Sequence, residues 1–142
     1  MSEQDLQTAA EADIAWNDSL SVSVRRIDNQ HRQIMETISK LNHQLQQGPP
    51  ELSLEVIDQL ICIASPHIMA EEELMLRFHF PEYKDHHRRH NEFAAKLHEL
   101  RKQAAADSLT REVPILLMDK LCSHIRDVDR RYATCFNNNR VR

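Results

Sequence analysis

A single glycine, Gly48, in 142 residues leaves the chain almost without the residue that tight strand hairpins use for backbone with positive φ. No segment sustains apolar–polar alternation. What recurs is apolar spacing of three and four, the mark of helices with one buried face. The first stripe reads Ile27, His31, Ile34, Ile38, Leu41, Leu45 and predicts a helix over about 27–47, ended by Gly48-Pro49-Pro50. The second, over about 53–78, reads Ile57, Leu60, Ala64, His67, Glu71, Leu74, Phe78. It contains Pro66, which removes a backbone hydrogen bond at a cost of about 3 kcal/mol if nothing compensates. The third, over about 82–105, reads Tyr83, His86, His90, Phe93, Leu97, Leu100, Ala104. The fourth, over about 110–136, carries Leu117, Leu121, His124 and Val128, flanked by Ile125, Asp129 and Tyr132, with Pro114 near its first turn, where proline is tolerated. Short links between long helices predict an all-α, up-down-up-down antiparallel four-helix bundle. Residues 1–20 read as an extended N-terminal arm anchored by Trp16, residues 21–136 as the bundle, and residues 137–142 as a frayed C-terminal tail.

The charge pattern excludes several classes of function. A net charge of −4 with acids and bases interspersed offers no basic stripe for nucleic acid. The longest apolar runs, such as Leu60 to Ala64, are too short to span a bilayer, and the acidic N-terminus lacks a signal-peptide core. Cys62, Cys122 and Cys135 are odd in number and form no C-x-x-C. They read as thiols packed in or near the core of a cytoplasmic protein.

The functional signal is a conflict inside the stripes. His31, His67, Glu71, His86, His90 and His124 fall where the pattern demands apolar side chains, and Asp129 borders the same region. Each unpaired buried polar group costs several kcal/mol, against a net stability of about 5–15 kcal/mol for a domain. A metal compensates such groups directly, because imidazole nitrogen and carboxylate oxygen are its ligands. The nitrogen-rich set favours iron, zinc or copper over magnesium or calcium. Residues four apart on a helix lie about 40° apart, so His67 projects with Glu71 and His86 with His90. His124 and Asp129, five apart, diverge by about 140°, and share a centre only if Asp129 reaches across from the flank. Five histidines and two carboxylates exceed the capacity of one ion and suit two.

Four segments carry a family likeness: IDNQH ending at His31, HIMAEEELM from His67, FPEYKDHHRRH ending at His90, and HIRDVD from His124 to Asp129. In order and spacing they resemble the signatures of the hemerythrin family, over about residues 16–132. The resemblance implies two non-haem irons joined by an oxo or hydroxo bridge. His86, His90 and His124 would hold one, His31 and His67 the other, with Glu71 and Asp129 bridging. It implies reversible binding of O₂ (carriage, storage or sensing) in a pocket lined by Ile34, Ile68, Leu121 and Ile125. A five-histidine site carries little negative charge and so stabilises high oxidation states less, which favours reversible binding over oxygen activation.

Some positions depart from the family pattern. Lys120 stands where tryptophan is common: facing the pocket it would admit water and speed autoxidation, whereas snorkelling outward it would not. Ser23 occupies a position where glycine is common, and Ile68 one where phenylalanine is usual. The alternative functions are a di-iron oxidase or peroxidase and a metal bundle serving iron homeostasis. Ferritin-like enzymes of the first kind use paired E-x-x-H motifs, and the chain contains none.

Overall fold

A computed structural model of the chain describes residues 16–48 and 51–142. The first fifteen residues of the expected arm and the Pro49-Pro50 helix stop lie outside the described residues. A short 3₁₀ turn, Asp18–Leu20, leads into α1 (Arg25–Gln47), α2 (Glu51–Arg77) and α3 (Tyr83–Ala105). The last helix is divided. It comprises α4 (Val113–His124), a π-helical turn (Ile125–Asp129) and α5 (Arg130–Asn138). α1 packs on α2, α2 on α3, and α4 returns against α1, giving the expected bundle.

The stretch 16–24 is more firmly built than an extended arm. Leu20, Val22 and Val24 are buried in the core, and the Arg32 guanidinium lies over the Trp16 ring at 4.0 Å. Asp28, in the first turn of α1, accepts hydrogen bonds from the Val22 amide (2.9 Å) and the Ser21 hydroxyl (2.6 Å). That carboxylate ties the lead-in to the helix that carries His31. The C-terminal tail is likewise held, with Val141 packed on the core.

The scarcity of glycine shows at the helix ends. α2, α3 and α5 all stop in the same way: the residue one past the cap turns left-handed and the next amide folds back on the last turn. The left-handed residues are His79 (φ 55°), Asp107 (φ 53°) and Arg140 (φ 63°). The closing bonds run from Phe80 to the Met75 carbonyl (2.8 Å), Ser108 to Gln103 (2.8 Å) and Val141 to Phe136 (2.9 Å). Glycine ordinarily takes this position because it has no Cβ to clash. Replacing His79 and Arg140, both exposed, by Gly is therefore expected to raise stability by about 0.5–1 kcal/mol each. The two ends are distant, so the gains should add in a urea titration. Ser23, also left-handed (φ 58°), explains why glycine suits that position.

α2 continues through Pro66, which is exposed. The carbonyl deprived of its partner therefore faces solvent, and water can serve it. The segment Leu52–Arg77 is long and apolar enough to cross a membrane, a property hidden from a search for unbroken apolar runs because charged residues punctuate it. Its inner face, with Ile57, Leu60 and Met75 fully buried, belongs to the bundle core.

Candidate metal centre

Each of the four helical segments delivers part of one polar cluster into the core. His31, Glu71 and Asp129 are 0% exposed, and His67, His86 and His90 are also buried. His124 keeps 22% of its side chain exposed. The i,i+4 pairs fall together as expected. His124 and Asp129 also meet, with Nε2 2.9 Å from Oδ1, and the π turn is the reason. Hydrogen bonds that close at i+5 in place of i+4 widen the turn by one residue, so residues five apart come round to the same side. The 140° divergence of a regular helix does not apply there. Ile125, Asp129 and Tyr132, read as flanking residues, are fully buried, while His124 takes the half-exposed flank.

The seven side chains sort into two groups. His86, His90, His124 and Asp129 offer ligand atoms all within 4.8 Å of one another, and so do His31, His67, Glu71 and Asp129. Asp129 belongs to both: Oδ2 lies 3.2 Å from His31 Nε2, and Oδ1 2.9 Å from His86 Nε2. Glu71 spans the groups as well, with Oε1 2.6 Å from His67 Nε2 and 3.4 Å from His90 Nε2. Yet both oxygens of Glu71 and of Asp129, and the Nε2 atoms of His31, His86, His90 and His124, have no hydrogen-bond partner. They are close without the angles of a hydrogen bond. Donor atoms aimed at shared points rather than at one another fit cation coordination, and five nitrogens with two carboxylates make a borderline-soft set.

The family model of the hemerythrin HHE cation binding domain matches residues 22–136. The chain belongs to the hemerythrin family. It is 33% identical over 122 residues to a bacteriohemerythrin of Stenotrophomonas maltophilia, covering 84% of this chain and 79% of that protein. It is 33% identical over 124 residues to a bacteriohemerythrin of Pseudomonas aeruginosa, covering 86% and 80%. A crystal structure of wild-type hemerythrin superposes with a TM-score of 0.80 at 23% identity, covering 85% of this chain and 95% of that one, and shares the fold.

In this hemerythrin-family chain a second layer supports the cluster. The His67 Nδ1–H donates to the Gln30 side-chain amide oxygen Oε1 (2.8 Å), which leaves Nε2 to face the cluster. One Glu72 oxygen pairs with the exposed His87, and the other lies 3.7 Å from His90 Nδ1. Tyr132 is fully buried, its ring 5.6 Å from that of His86. Burial, then the Asp129 and Glu71 carboxylates, hold its phenol well above the usual range, so it stays protonated. Gln30 and Tyr132 were not readable as site residues, because only tertiary packing brings them there. His43, His79, His87 and His98 lie at the surface.

A cavity of about 290 Å³ adjoins the cluster. Ile34, Ile68 and Leu121 line it, with Ala64, Phe93 and Val128. Ile125 does not: it is 0% exposed in the core and absent from the cavity wall, because it sits one residue round the helix from His124. Arg89, Glu92, Lys120, Asp127 and Arg131 also line the cavity. Lys120 is exposed, so the cavity opens among charges and is not sealed by apolar side chains.

Without a metal, the carboxylates make His67 and His124 hold their protons more tightly. Burial pulls His67 down, but the Glu71 carboxylate facing it prevails and raises it above 6.5. His124 is likewise raised, Asp129 overcoming desolvation. Glu71 and Asp129 are held low against their burial, Glu71 by His67 and Asp129 by His124, His31 and His86. A raised imidazole stabilises the fold below its unfolded value and loses that contribution as pH rises through the folded one. The lowered carboxylates contribute above their unfolded values and lose it in acid. Metal-free protein should therefore be most stable between about pH 4.5 and 6.5, falling on the alkaline side by up to about 1.4 kcal/mol per pH unit per histidine. Metal-loaded protein should not show the alkaline fall, because the ion replaces the protons. Urea midpoints of both forms at mildly acidic and alkaline pH check this.

Proposed function

We propose that this chain binds dioxygen reversibly at a non-haem di-iron centre held by His31, His67, Glu71, His86, His90, His124 and Asp129. The observation that carries the reading is the sharing of Asp129 between two four-ligand groups, with Glu71 reaching both. That is the donor arrangement of two bridged ions, not of one. When bound, a pair of irons supplies two electrons that can be lent to dioxygen and recovered. The protein's part is to fix the ions and shape their surroundings. Three imidazoles serve one group and two the other, so the two-histidine group has room for an external ligand. His31 and His67, of that group, form part of the cavity wall together with Ile34, Ile68 and Leu121. The Tyr132 phenol, kept neutral, brings no further charge. The likeness to the two bacteriohemerythrins supports this reading.

The test is a visible spectrum of reduced, metal-analysed protein before and after air, then after oxygen is removed. Two irons per chain and a band that comes and goes with oxygen are expected. A colourless zinc-loaded protein would refute the di-iron assignment. Steady oxidation of an added reductant, with no oxygenated form recovered, would place the chain among oxidases. Because Lys120 lines the cavity and is exposed, Lys120→Trp is expected to lengthen the lifetime of the oxygenated form several-fold. An unchanged autoxidation rate would show that water enters elsewhere.

A further inference from the structure

The outward face of α2 is unlike that of an ordinary surface helix. Met69 is 71% exposed and Leu76 56%, with Cys62 and Pro66 exposed on the two turns before Met69. At 100° per residue, Glu55, Gln59, Cys62, Pro66, Met69, Glu73 and Arg77 form one stripe along this face. The apolar residues are central and the charges terminal. Exposed apolar stripes rimmed by charge mark interaction sites.

We propose that the stripe pairs with the same stripe of a second copy of this chain, antiparallel, about a two-fold axis beside Pro66. The charges select both partner and register. In an isologous contact residue i meets j and j meets i. With Pro66 on the axis, Arg77 of each copy meets Glu55 of the other. Glu73 meets Gln59, on which Lys40 Nζ rests at 3.0 Å, so a second opposite-charge couple forms. Glu55, Glu73 and Arg77 are exposed and make no ion pair among the described residues. A parallel pairing would set Glu55 on Glu55 and Arg77 on Arg77. Sliding the antiparallel pair by one turn sets Glu73 on Glu55 in one direction and Arg77 on Lys40 in the other. Of these arrangements, the Pro66-centred register alone sets Glu55, Glu73 and Arg77 against opposite charge. It seats Met69 near the partner's Cys62, on either side of the axis. A single-helix seam is a small interface, below roughly 1,200 Å² and readily exchanging.

The experiment uses iron-loaded full-length protein in sedimentation runs over a concentration series. A concentration-dependent dimer is expected. Arg77→Glu and Glu55→Arg should each weaken it by about tenfold or more, since each homodimer then opposes like charges twice. Mixing the two variants should restore association, because the mixed dimer regains both pairs. A bismaleimide spanning about 12 Å should join the two Cys62 thiols, which lie four residues to either side of the axis, and no direct disulfide should form. A monomer at every concentration, or a dimer indifferent to both reversals, overturns the proposal. So does α2-dependent binding to phosphatidylcholine–phosphatidylglycerol vesicles by a protein that does not self-associate.

Discussion

Asp129→Ala is expected to strip both ions from the protein, while His31→Ala and His90→Ala each leave about one. The reasoning is stoichiometric. Asp129 is the residue common to both ligand groups, its two oxygens facing His31 on one side and His86 and His124 on the other. Removing it takes a donor from each ion and leaves two sets of imidazoles around a gap. Removing His31 takes a donor only from the group of His67 and Glu71, and removing His90 only from that of His86 and His124. Metal analysis after dialysis against a weak chelator reads the result. If Asp129→Ala keeps one tightly held ion, the two groups do not share it and the bridged arrangement fails.

Glu71→Ala is expected to separate folding from metal binding. Glu71 is 0% exposed and unpaired by hydrogen bonds. In the loaded protein its loss should cost about 3–5 kcal/mol, as when one partner of a buried ionic pair is removed. In the metal-free protein the cost depends on pH. Near pH 5.5 the carboxylate stabilises protonated His67, and the variant should lose that contribution. At alkaline pH, once His67 has given up its proton, Glu71 is a buried charge with less to compensate it, so the variant should approach or exceed the parent in stability. Equal losses at both pH values, with or without metal, would mean that Glu71 supports the core by packing alone.

The sequence made some parts of this site readable and hid others for physical reasons. His67 with Glu71 and His86 with His90 could be paired because an α-helix fixes the angle between residues four apart. Helical periodicity did not pair His124 with Asp129, because the π turn that aligns them changes that periodicity; only the family likeness of HIRDVD joined them. Ile125, which the resemblance puts in the oxygen pocket, lies in the core because it stands one residue round the helix from His124. Four antiparallel helices followed from apolar spacing and scarce glycine. The positions of His79, Asp107 and Arg140 did not follow, since left-handed backbone at a helix end is set by where the chain must turn. The roles of Gln30, Asp28 and Tyr132 depend on neighbours distant in sequence, which a one-dimensional pattern does not contain.

The wide turn between His124 and Asp129 has one more consequence. It acts as a phase shift: residues before it and after it keep time with two different helical frames, offset by one position. A core substitution designed by extending the α4 pattern into α5 would land on the wrong side, as would a redesign that straightened the helix while keeping every side chain. The spacing of the two ligands, not the pitch of the helix, is the quantity that insertions and deletions in this segment must leave untouched.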